Sequence, residues 1–173
     1  MSRQLATLLC LMASATACSD DPLEPASSAA LVQPDVRAAV ERPAGGRCVT
    51  VTQALPPLPP PTLTLQITGT CRLRHLGRTK MEAIQVVDLQ TGSFSNTTTY
   101  TAANGDRLFT SFAGQLTSAD ADGVTFVGVE TYTGGSGRFE AAHGSSEARG
   151  TATQTDATGA GTGEYSTEGS ITY

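Results

Sequence analysis

From about residue 47 onward, hydrophobic and polar positions alternate with a period of two. Leu63, Leu65 and Ile67 are interleaved with Thr62, Thr64, Gln66 and Thr68. Val124 and Phe126 flank Thr125, and the alternation continues to Tyr132. Near the C-terminus Tyr165, Gly169, Ile171 and Tyr173 share one face, and Glu164, Ser166, Glu168, Ser170 and Thr172 share the other. Successive side chains of a strand point to opposite faces, so this pattern predicts strands with one buried and one wet face. Such strands pair antiparallel rather than in a parallel α/β sheet. Turn-forming residues separate the runs: Pro56 to Pro61, Thr91-Gly92, Asn104-Gly105, Asp122-Gly123, Gly134 to Gly137, Gly144 and Gly159 to Gly163. The predicted strands lie near 48–53, 62–68, 70–76, 80–89, 94–102, 106–118 and 123–133, with a hairpin or more in 145–173. No helix interrupts them. Roughly eight such strands must hide their edges, and closure into an up-and-down barrel does so completely. The expected fold is therefore an all-β, small antiparallel closed barrel spanning residues 47–173, with a β-sandwich as the alternative. Leu65, Val86, Phe112, Phe126 and Tyr165 are the candidate interior residues.

The first 46 residues follow other patterns. Residues 1–17 open with Arg3, continue through an apolar stretch from Leu5 to Met12, and end in small residues, the order of a secretory signal peptide. The stretch is too short to span a membrane. Ala15-Thr16-Ala17-Cys18 resembles the lipobox of bacterial lipoproteins, in which the Cys carries the lipid. The first position departs from the usual Leu, so cleavage after Ala17 leaving a free Cys18 is the competing reading. Ser19 after the Cys resembles the pattern sorted to the outer membrane. The resemblance implies a cell-envelope protein held at the outer membrane by its N-terminal lipid, on the periplasmic or surface face. Residues 18–46, rich in Ala, Ser, Pro, Asp and Glu, read as a disordered tether, with two helical turns conceivable over 35–42.

Composition sharpens this picture in three ways. The 173 residues carry a net charge of -5, and no basic cluster is expected to overturn that average, so no general attraction to nucleic acid or anionic lipid is expected. Aromatics are 5% with no Trp, while Gly numbers 18, so the core is thin and its filling is an open question. Outside the leader, Cys18 aside, only Cys48 and Cys71 remain. A disulfide in an oxidising compartment is the natural inference, with two buried thiols as the alternative. No metal-binding spacing and no cofactor motif is present.

Several segments resemble the allene oxide cyclase and dirigent type of secreted barrel protein. They are His75 to Arg78, Tyr100 to Asp106, Tyr132 to Phe139 with Ala142 and Gly144, and Glu168 to Tyr173. The resemblance implies an eight-stranded barrel with a central cavity, oligomeric in many relatives, so a homo-oligomer is an expected partner. It does not imply either activity, because the catalytic residues of neither class can be placed here. No catalytic residue is assigned. His75 with Glu82 is the weak acid–base candidate, against a turn-stabilising or surface His75. His143 is expected to be exposed, Asn104-Gly105-Asp106 to be hairpin chemistry, and Asp120 with Asp122 to fall short of a calcium site. Three functions compete: a non-enzymatic barrel binding a small apolar ligand, a structural envelope protein with a filled barrel, and a cyclase-like isomerase. The first predicts a cavity of several hundred Å³. The second predicts none. The third predicts polar groups buried together with shifted pKa values.

Overall fold

The computed structural model describes residues 40–56, 61–121, 123–154 and 160–173. The leader, Cys18, the tether up to residue 39, most of the proline run and Asp122 lie outside the described residues. Eight strands form the wall: β1 (Glu41–Leu55), β2 (Thr62–Leu73), β3 (Gly77–Asp88), β4 (Ser93–Ala102), β5 (Arg107–Asp120), β6 (Gly123–Ser136), β7 (His143–Gln154) and β8 (Gly161–Thr172). Each pairs antiparallel with the next, and β8 pairs with β1, so the sheet closes into an up-and-down barrel with no edge. Closure excludes the sandwich.

The strands differ from the sequence-based expectation in two places. The wall starts at Glu41 rather than near Arg47, because Glu41 to Gly46 pair with Thr172 to Thr167 and complete the seam. Glu41 and Arg42 are therefore extended, Val40 is not helical, and residues 35–39 of the conceivable helix lie outside the described residues. The run at 62–68 and the first part of that at 70–76 are one strand ending at Leu73, because Gly69 continues the ladder, and residues 74–76 form the turn to β3. A Cβ on Gly69 would meet the Val49 carbonyl oxygen at 2.4 Å, so the glycine permits a close approach of two strands and is not a turn. The segment 145–173 resolves into the β7–β8 hairpin.

Turns alternate between the two ends. At one end Asp88 accepts hydrogen bonds from the backbone N–H groups of Gln90 and Thr91, which hold its carboxyl below the usual range. At the other, Gly105 takes the left-handed conformation (φ 88°) that the Asn104-Gly105 turn requires. There Asn104 Nδ2 donates to Asp106. The β6–β7 connection makes one turn of 3-10 helix, Gly137–Phe139, which seats the fully buried Phe139 as a plug. Arg138 lies over the Phe139 ring, pairs with Asp106 at 3.4 Å, and donates to the His75 carbonyl.

The interior divides into two clusters. One, at the Phe139 end, includes Leu76, Tyr100, Leu108 and Ile171, and contains the Cys48–Cys71 disulfide between directly paired positions of β1 and β2. The other, toward the opposite end, is built on Val87, Phe94, Phe112 and Ala148, with Leu63, Leu116 and Phe126 against it.

Candidate functional site

The second cluster does not fill its half of the barrel. A cavity of about 520 Å³ opens at the end away from Phe139. Its apolar wall is formed mainly by Leu63, Leu65, Phe94, Phe112 and Phe126. Phe94 stacks on Phe112 with ring centroids 5.5 Å apart and meets Phe126 edge-on at 5.7 Å. Glycines on neighbouring strands make room for these rings. Gly114 pairs with both Phe94 and Gly128, and Gly150 pairs with both Phe126 and Tyr165. A Cβ on Gly114 would stand 2.5 Å from the Phe94 ring, on Gly128 2.6 Å from Phe112, and on Gly150 2.7 Å from Phe126. These rings lie flat against backbone, and the space that larger side chains would occupy stays open.

The base of the cavity is polar. Glu130 on β6 points inward and is 2% exposed. Its Oε1 accepts from the Tyr100 hydroxyl at 2.7 Å and from Thr110 Oγ1 at 2.9 Å. The Tyr100 proton is thus committed to Glu130. The Tyr165 hydroxyl, 2.8 Å from that of Tyr100, is then the donor in that pair, with Met81 Sδ at 3.4 Å as an alternative acceptor. Burial raises the Glu130 carboxyl above its ordinary range, only partly opposed by the bonds from Tyr100 and Thr110. Burial also raises both Tyr165 and Tyr100, and at Tyr100 the neighbouring Tyr165 and Glu130 charges add to it. Tyr132, bonded to Ser146 on the same side, is pushed up to about 12. The arrangement is a hydrogen-bonded donor–acceptor chain at the foot of an apolar chamber. Both bonds to Glu130 land on Oε1, which leaves Oε2 to carry the proton when the acid is neutral.

Leu65, Phe112, Phe126 and Tyr165 line this cavity. Val86 does not: it is 43% exposed on the outer wall. Inward positions of β3 are Thr79, Met81, Ala83 and Val87, and the doublet Val86-Val87 gave the alternation no means of choosing between its members. His75 and Glu82 are not brought together. His75 occupies the β2–β3 turn with positive φ (68°), its Nε2 donates to the Pro43 carbonyl at 2.9 Å, and its ring meets Tyr173 edge-on. Glu82 faces outward from β3, opposite Thr68 and Thr99. His143 is exposed, and Asp120 sits at the cavity rim.

The sequence reading missed Glu130, Tyr100 and Thr110. A signal was present: Glu130 shares the parity of Phe126 and Tyr132, so an acid stood on the face that the alternation marks as buried. Val127 and Val129 occupy the outward positions instead, each 47% exposed, which blurred that face.

No protein-family model matches the sequence, and no curated protein matches it significantly. Among solved structures, a pterocarpan synthase dirigent protein matches with a TM-score of 0.50 and 14% identity. The match covers 77% of this chain and 86% of that one. The fold is that of a dirigent-like barrel.

Proposed function

We propose that this dirigent-like barrel binds a small, mostly apolar molecule that carries an oxygen function at one end. The observation that carries the reading is the cavity of about 520 Å³ with aromatic walls and the Glu130–Tyr100–Tyr165 chain at its base. A volume of this order suits one small ligand, and a few polar groups in an apolar chamber fix its orientation. The apolar body lies among Phe94, Phe112 and Phe126, and an oxygen function meets the Glu130 carboxyl or the Tyr165 hydroxyl. A barrel filled for purely structural reasons would not leave this volume empty.

A second reading is favoured by one feature, the raised acid at the chamber's foot. A carboxyl whose affinity for a proton is raised by burial can act as a general acid toward a ligand oxygen, a role that an isomerase or cyclase uses. Glu130, rather than His75 or Glu82, takes the acid role in that reading.

The protein's address completes the proposal. The lipobox-like Ala15 to Cys18 and the polar run after it support a chain acylated at Cys18 and held at the outer membrane. An acyl mass on the Cys18 peptide, isolated from membranes, is the expected result, and a free thiol there would reject anchoring.

Native mass spectrometry tests the binding reading. An added small-molecule mass that leaves on denaturation, or uptake of one member of a panel of fatty acids and terpenoid alcohols, is expected. A bare mass throughout the panel would remove it. Turnover of a bound compound that Glu130→Gln abolishes would move the assignment to the second reading.

A further inference from the structure

Three arginines on three adjacent strands stand in one row on the outer wall. Arg47 on β1 is directly opposite Arg72 on β2, and Arg72 is directly opposite Arg78 on β3. All three are exposed. Arg74, in the turn beyond, and Lys80, two residues along β3 on the same face, are exposed beside them. Like charges directly across a ladder repel, and natural sheets usually set an opposite charge there. No acid stands directly opposite any of the three; the outward acids nearest them are Glu164 and Glu168, diagonal to Arg47, and Glu82, two residues beyond Lys80. A chain with net charge -5 thus gathers five cations on the plugged half of three adjacent strands. At the far end Asp88 and Asp120 stand at or beside the cavity mouth.

We infer that this basic face lies against the anionic headgroups of a membrane and turns the cavity mouth away from the lipid. Two further features choose a membrane over a compact anionic ligand. The arginines stand on a convex wall with no pocket between them, which suits a diffuse, extended layer of phosphates. The chain also enters β1 at Glu41, at the plugged end, so a tether reaching back to Cys18 brings this end toward the bilayer first. That direction of approach rests on the anchoring proposed above; the charge argument does not.

The test uses the full chain exported with Cys18→Ser, which cannot take a lipid, so the face is read separately from acylation. Co-sedimentation is measured with vesicles of phosphatidylcholine alone and of phosphatidylcholine mixed with phosphatidylglycerol. Binding only to the anionic vesicles, falling as salt rises, is expected. The triple variant Arg47→Gln, Arg72→Gln, Arg78→Gln should lose roughly a hundredfold in partitioning, at about fivefold for each basic residue near an anionic surface. The matching triple Lys variant should retain most of the binding, since a lipid layer reads charge rather than the guanidinium fork. Removing three mutually repelling charges should leave the midpoint of thermal unfolding unchanged or raised, which separates lost docking from lost fold. Equal binding to both vesicle types, no binding to either, or full binding by the Gln triple would overturn the inference. Capture by a soluble acidic polysaccharide without vesicle binding would also overturn it.

Discussion

The two halves of the barrel are built on the same eight strands and the same inward alternation, yet one is solid and the other hollow. At the plugged end the inward positions hold Leu76, Tyr100, Leu108, Tyr132 and Ile171, and Phe139 closes the base. At the open end inward glycines, Gly114, Gly128, Gly150 and Gly163, alternate with threonines and a few aromatic rings. The strand frame is indifferent to this choice, because the backbone ladder satisfies its own hydrogen bonds in both halves. Side-chain volume alone decides where the barrel is core and where it is chamber. Stability should therefore concentrate at the plugged end and ligand response at the open end.

The largest test of that division is a pair of truncations. Phe139→Ala empties a fully buried site and should cost about 3–5 kcal/mol in urea unfolding. Phe126→Ala widens an existing chamber rather than opening a new void, and should cost clearly less while changing ligand size preference. Equal losses would erase the distinction between the halves. Next in size is the disulfide of the solid half. Replacing Cys48 and Cys71 with Ala frees a loop whose ends are 23 residues apart, and should lower stability by about 3 kcal/mol on the chain-entropy account.

The third prediction concerns pH and belongs to the boundary between the halves. Glu130 has a folded pKa raised above its ordinary 4.5, so the folded state holds a proton that the unfolded chain releases. Stability should fall as pH rises above about 4.5 toward the raised folded value. Glu130→Gln, uncharged throughout, should flatten that slope. An unchanged slope would show that Glu130 is not the group responsible. The smallest expected effect lies in the solid half, where Thr79 and Thr167 bury hydroxyl oxygens without a hydrogen-bond partner. An unsatisfied buried hydroxyl costs about 1–3 kcal/mol, so Thr79→Val should be neutral or slightly stabilising in the same unfolding assay.

The fold was largely legible in the sequence. Alternation in Thr62–Ile67 and in the last strand marked the wall, turn residues marked the hairpins, and two cysteines marked the link between β1 and β2. What the pattern lacked was register. Gly69 looked like a break because a glycine reads alike at a turn and at a close strand approach. Val86 was set inside because two adjacent valines carry no parity. Arg72, Arg74, Arg78 and Lys80 stand close together in the sequence, but only strand pairing sets the remote Arg47 beside Arg72 and aligns the row. The cavity was open as a question because small side chains permit both a tight barrel and a hollow one. Glu130 was readable from parity, but exposed Val127 and Val129 beside it inverted the usual hydrophobic contrast of the strand.

A calorimetric titration of a terpenoid alcohol into the protein at several temperatures tests the hollow half most directly. The account predicts saturable binding of one molecule per barrel with a negative heat-capacity change, the mark of apolar surface leaving water. It also predicts weaker binding to Glu130→Gln, with the stability of the plugged end unchanged. Absence of heat at every temperature, for alcohols and fatty acids alike, would contradict a ligand-binding chamber and leave the barrel a structural shell.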